Sequence, residues 1–222
     1  MLAKQVDGII LFPNSKNSNL YKDLIKIGYP IVFVDRKIAN VPIDSVLMDN
    51  FEAVNLAMQE FIDKRYRKIG LVSPSTACQK ITPRIERIKS YKQFLTNYKI
   101  KFNAEYLIVE KVNKIQRELE KMMLINDPPD ALLATNDFVL LEILKFIKKH
   151  DIKIPDNLAL IGIDDVNFAS FYNPAITTVE QPIKKMGVQA AKLLLKKVTN
   201  DLYLNNSAVY RLKPRLIKRF SL

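Results

Sequence analysis

Along this chain, short apolar runs that close on Asp, Asn, Ser or Thr alternate with segments whose apolar residues recur at helical spacing. That alternation restricts the fold more than any other feature. Strands separated by helices pair in parallel, because joining parallel strands takes a crossover connection and a helix supplies it. The runs Val6 to Phe12, Ile31 to Asp35, Ile69 to Ser73, Tyr106 to Glu110, Ala131 to Thr135 and Leu158 to Ile163 read as strands. A helix near Leu20 to Ile27 should stop at Gly28 in a left-handed cap. Asp49 is placed to cap a second, in which Phe51, Val54, Met58, Phe61 and Ile62 share helical spacing before the basic run Lys64 to Lys68. Further helices are expected at Arg84 to Tyr98, Ile115 to Ile125, Phe138 to Lys149 (capped by Asp137) and Lys184 to Val198. Two extended pieces, Ala208 to Leu212 and Leu216 to Lys218, follow the last of these.

A length of 222 residues allows one large domain or two modest ones. Hydrophobic content of 48% with 26% charge is that of an ordinary globular chain. No apolar run approaches the roughly 18 residues needed to cross a bilayer, and Asp7 interrupts the first apolar stretch too early for a signal peptide. A cytoplasmic protein without membrane partners is the expectation. The single cysteine, Cys78, excludes an internal disulfide and a Cys-based metal cage, and reads as a buried or incidental thiol. The net charge is +12, and from Ile183 to Leu222 ten Lys or Arg face one acid, Asp201. Such an end could attract polyanions, or it could simply be a solvated lysine-rich face.

In parallel sheets, ligands bind where loops leave the carboxyl ends of strands. That rule selects Phe12 to Ser15, Asp35-Arg36, Ser73 onward, Thr135-Asn136-Asp137 and Asp164-Asp165. The stretch LIGIDDVNFASFYNPAITTVEQP is the least generic: an Asp pair at the mouth of a buried strand, then a second extended run stopping at Gln181-Pro182. Consecutive strand residues point to opposite faces, so one of Asp164 and Asp165 should face a ligand while the other caps or pairs locally. Asn136 is either a loop residue ahead of the Asp137 cap or a ligand contact. Arg84 and Arg87 share a helix face, with a surface ion pair as the alternative role for Arg84. His150, after Lys148-Lys149 at a helix end, reads as a terminator. A glycine-rich phosphate cradle, a histidine constellation and a nucleophile elbow are all missing, so neither a cofactor nor an enzyme is expected.

The stretches VDGIILFP, YPIVFVDR, SVLMDNFEA, RYRKIGLVS, RIERIKSYKQFL, PPDALLATNDFVLLEIL, IPDNLALIGIDDVNFASFYNPAITTVEQP and RLKPRLIKR together resemble the effector-binding core of the lactose and galactose repressor family (LacI/GalR). They occur in family order over nearly the whole chain. The resemblance implies an α/β, two-lobed, periplasmic-binding-protein-like (type I) fold with parallel sheets flanked by helices. One lobe would take residues 1–48 with 180–211, and the other 49–179 with 212–222. The helix-turn-helix domain and about 60 residues of core, two strand-helix units of about 30 each, would precede this sequence, with Met1 to Gln5 as the tail of a helix.

By the same resemblance, a sugar-like effector is contacted by Asp35 or Arg36, Arg87, Asn136 and Asp164, with Gln181 as a further candidate and Phe12 as an apolar wall. Carboxylates and amides suit hydroxyl groups, and Arg suits paired oxygens. Ser90 stands where the family has Gly. The implied function is a repressor core, homodimeric in the intact protein, that regulates operator DNA binding. The alternatives are a sugar-binding protein of a transporter and an enzyme on the same scaffold.

Overall fold

The computed structural model describes residues 6–75, 81–199 and 207–222. These fall into two compact units joined by repeated crossings: Met1–Asp49, Ala77–Pro83 and Pro182–Lys213 form one, and Asn50–Thr76, Arg84–Gln181 and Pro214–Leu222 the other, so far as each is described. Cys78 and Met1 to Gln5, on which expectations fell, lie outside the described residues.

In the first unit, β1 (Ile9–Leu11), β2 (Ile31–Val34), β3 (Ser45–Met48) and β9 (Val209–Leu212) lie side by side in that order, all parallel. β2 and β3 are buried at every position, as strands covered on both faces require. One face carries α7 (Ile183–Thr199), which packs on β1, β2 and β3 and buries Met186, Ala190 and Leu193 at helical spacing. On the other, Tyr21 and Leu24 of α1 (Ser18–Lys26) meet Ile31, Phe33 and the loop residues Ile38, Val41 and Ile43. The Tyr21 and Phe33 rings stand edge to face with centroids 5.1 Å apart.

Gly28 ends α1 as expected. At φ 67° its N–H reaches Ile25 O and the Tyr29 N–H reaches Leu24 O, both at 2.9 Å, the double closure that a left-handed residue permits. A buried ion pair ties α7 to the residue before β3. Lys197 Nζ lies 3.1 Å from Asp44 Oδ2, while Asp44 Oδ1 accepts the Ala208 N–H at 2.7 Å just before β9.

The second unit holds a six-stranded sheet of β4 (Ile69–Pro74), β5 (Leu107–Glu110), β6 (Ala131–Ala134), β7 (Ala159–Ile163), β8 (Thr177–Glu180) and β10 (Arg215–Ile217). The order is β10-β8-β7-β6-β4-β5, and only the β10–β8 pairing is antiparallel. α4 (Ile115–Met123) and α5 (Asp137–Lys149) build the core over one face, through Ile115, Leu119, Met122, Leu140, Ile143 and Phe146. α2 (Asn50–Asp63) packs against β6, β7, β8 and β10, and α3 (Thr82–Asn97) buries Tyr91, whose hydroxyl donates to Ile69 O at 2.7 Å. Burial pushes the Tyr91 phenol well up from its ordinary range.

Two elements depart from the sequence reading. β3 was visible only inside a motif, and the five-residue α6 (Asn167–Phe171) sits in a stretch read as loop. The first strand is also shorter than Val6 to Phe12, because Val6 and Phe12 are exposed and only Ile9–Leu11 pairs with β2.

Candidate functional site

The carboxyl ends of the strands in the second unit bring four of the expected residues into the same layer. β7 ends at Ile163, and Asp164 then turns into the left-handed region with φ 88°. Its N–H donates to Val179 O at 3.0 Å and its O accepts the Val166 N–H at 3.1 Å, which over-determines the turn. A non-glycine residue held there costs about 1 to 3 kcal/mol, so the surrounding bonds must offset it. The Asp164 carboxylate accepts a hydrogen bond from Gln181 Nε2, just past the end of β8.

Asp165 has a different set of partners. Thr178 Oγ1 donates to its Oδ1 at 2.6 Å, and the Arg219 guanidinium sits 2.8 Å away. Both carboxylates are therefore engaged, Asp165 by residues distant in sequence, and strand alternation is not what separates them. The backbone turn at Asp164 separates the two carboxylates.

Asn136 is the N-cap of α5, correcting the assignment of that role to Asp137. Its backbone is extended (φ −166°, ψ 176°), so Oδ1 reaches the Val139 N–H at 3.1 Å. A cap must stand outside the helix with extended backbone to make that reach, whereas Asp137 is already the first helical residue and accepts only from Phe138 N–H at 2.8 Å. Capping occupies Oδ1 and leaves the amide nitrogen as the donor side.

Arg87 is buried, with only 4% of its surface exposed. Its Nε donates to Asn50 Oδ1 at 2.9 Å, and Nη1 donates to Thr135 O. Asn50 Nδ2 in turn donates to Glu86 Oε2 at 2.9 Å. Arg87 thus joins the start of α2 to the end of β6. Arg84, read as a candidate for a surface ion pair, donates to the Ser75 carbonyl at 2.8 Å. The sequence reading missed Asn50, since nothing in the spacing links it to residues 36 and 37 places on. Ser90, in the place of the family's Gly, is buried and donates to Phe51 O at 3.1 Å, so its hydroxyl ties α3 to α2.

In the first unit, Asp35 follows β2 with φ 69°, and its N–H donates to Val46 O at 2.9 Å. Arg36 Nε and Nη2 reach its Oδ2 at 2.9 and 2.8 Å, so the neighbours neutralise each other. Phe12 is 70% exposed beyond the end of β1. Each unit thus presents a carboxylate on a left-handed residue after a buried strand, Asp35 held by Arg36 and Asp164 by Gln181 among its partners.

The basic end of the chain is less available than its composition suggests. Lys197, Arg215, Lys218 and Arg219 pair with Asp44, Glu180, Glu60 and Asp165 respectively. A carboxylate thus answers at least four of the ten cations that made this end look like a polyanion surface. His150 closes α5 with its ring against Phe146 and Nε2 3.6 Å from Glu120, the terminating role expected of it. Among the described residues, no helix is long and apolar enough to cross a membrane.

Residues 58–222 match the model of the periplasmic binding protein-like domain family. The protein named "Probable HTH-type transcriptional regulator EndR" of Paenibacillus polymyxa is 41% identical over 89% of this chain and 58% of its own length. The HTH-type transcriptional repressor PurR of Aliivibrio salmonicida is 25% identical over 100% of this chain and 66% of its own length. This chain therefore spans less than two thirds of either relative. Among solved structures, a LacI family transcriptional regulator from Enterococcus faecium with bound ribose is 26% identical, with a TM-score of 0.81 over 99% of this chain and 80% of that one.

Proposed function

We propose, from the premise that the chain belongs to the periplasmic binding protein-like domain family and is a LacI/GalR-type core, that it binds a sugar or sugar acid and thereby regulates operator binding by the full protein. The observation that carries this reading is the Asp164 carboxylate, fixed on a left-handed residue and oriented by Gln181. A carboxylate so held accepts from two vicinal hydroxyls, while the Asn136 amide donates to a ring or carboxylate oxygen. Arg87 stiffens this layer, and Phe12, Asp35 and Arg36 are proposed as effector contacts on the family resemblance. The ribose carried by the Enterococcus faecium relative supports the sugar class.

The rest of the reading follows from that role. A repressor core needs no catalytic group, a DNA-directed protein works in the cytoplasm, and operator contact belongs to a helix-turn-helix domain outside these residues. A homodimer in the intact protein is proposed on the family resemblance.

Thermal-shift titration with sugars and sugar acids tests the site. A ligand that raises the Tm of the chain should lose about a hundredfold in affinity with Asp164→Asn, as expected when a charged hydrogen-bond acceptor is removed. A stabilising sugar indifferent to that substitution would place its binding elsewhere.

A further inference from the structure

The outer strand of the six-stranded sheet, β5, pairs only with β4. Ser75 N–H donates to Glu110 O at 2.9 Å, so residues 110 and 108 turn their backbone groups inward, and alternation turns Leu107 and Val109 outward. The Leu107 N–H is used by Ala104 O. That leaves Leu107 O together with the N–H and O of Val109 along an edge that no described strand covers. Val109 is 36% exposed. Natural sheets blunt such an edge or pair it with an added strand.

On the α4 side of that edge runs a groove of about 340 Å³. Met122 and Ile125 give it an apolar floor, and Glu105, Glu110 and Glu118 line it. Its cation, Lys121, is bound to Glu118 at 2.7 Å. The groove is acidic on a chain whose net charge is +12. Ile108 and Glu110 share the face toward α4, where Ile108 joins the core with Ile115 and Leu119, so Leu107 and Val109 belong to the other face.

We propose that the β5 edge is a docking site for an extended basic segment of a partner protein, added as a strand. Leu107 O and both backbone groups of Val109 supply its ladder. The guest alternates basic and apolar residues: the aliphatic stems of Lys or Arg lie over Met122 and Ile125 with their cations at Glu105, Glu110 and Glu118, and the apolar residues lie beside Val109. Parallel, in-register pairing with a second copy is opposed because it sets Glu110 against Glu110 across the new edge, and antiparallel self-pairing, which would appear as a mass that rises with concentration and falls with Val109→Pro, overturns the proposal. This site is separate from the proposed effector residues and does not depend on them.

The test uses the full chain and a fluorescein-labelled hexapeptide of alternating lysine and valine, followed by anisotropy and by hydrogen exchange. Saturable binding is expected despite the protein's overall positive charge, with new protection at the Val109 amide. The doubly substituted Glu105→Lys, Glu110→Lys chain should bind at least about tenfold more weakly, the effect expected of like charges placed in contact. Val109→Pro removes an outward N–H and should weaken binding similarly, with unchanged circular dichroism establishing that the strand persists. If Val109→Pro unfolds the sheet, the charge reversal alone decides. Absence of saturable binding, protection confined to other amides, or equal affinity for the charge-reversed chain overturns the proposal.

Discussion

A carboxyl oxygen of Asp130, just before β6, is buried with no hydrogen-bond partner among the described residues. Desolvation raises this carboxyl above its usual range, against the pull of the Lys68 ammonium. The folded state therefore holds the proton more tightly than the unfolded state. Stability contributed here is full below the unfolded pKa and is lost as pH rises through the folded one. Asp130→Asn should accordingly raise Tm at neutral pH, with the gain shrinking as pH falls into the carboxylate range, and melts across pH check the sign. Asn136 allows a cleaner separation of roles. Asn136→Asp keeps a capping oxygen for the Val139 N–H and removes the donor nitrogen, so it should lose ligand response with little change in stability. Asn136→Ala should cost about 1 kcal/mol as well, read by denaturant titration without ligand.

At the scale of elements, the Lys197–Asp44 pair joins the end of α7 to the start of β3 and, through the Ala208 N–H, to β9. Both side chains are more than nine-tenths buried. Removing either partner alone leaves the other a buried charge without this countercharge, so Lys197→Ala or Asp44→Ala should cost about 3 to 5 kcal/mol, while the double Lys197→Met, Asp44→Leu change recovers most of it; urea midpoints of the four chains form the test. Lys197 also illustrates what sequence could and could not reveal. It counted as one more cation in a basic stretch, and only the packing of α7 on β3 brings Asp44 within reach. Strand-helix alternation was legible because burial on both faces leaves continuous apolar runs. Asp164 and Asn136 were legible as strand-end residues, but the left-handed turn, the Gln181 bond and the cap were not, since each depends on backbone angles that residue type only biases. Arg87 and Asn50 are partners brought together by the packing of α3 on α2, for which spacing carries no signal.

For the whole molecule, apolar surface is unevenly distributed. Ile10, Phe12, Leu20, Ile27 and Leu195 of the first unit are 40 to 70% exposed, and β1 is an edge of its sheet. An exposed edge beside apolar side chains favours association. The 222-residue chain alone should therefore sediment with a mass that rises with concentration, and Ile10→Lys with Leu195→Lys should reduce that rise. A single concentration-independent monomer would contradict it.

The chain's repeated crossing between units has a consequence for synthesis. Ser45 pairs with Val209, and Thr178 with Ile217, so each sheet takes one of its two edge strands from residues translated after all its others. While the ribosome is still making α7, β3 has no neighbour on one side and β8 lacks its antiparallel cover. Pairings this distant in sequence form slowly, because loop closure is paid before contact rewards it. The nascent protein therefore spends the interval with two further sheet margins open besides β1 and β5, and a holdase that shields extended backbone should raise its yield more than one acting only after release.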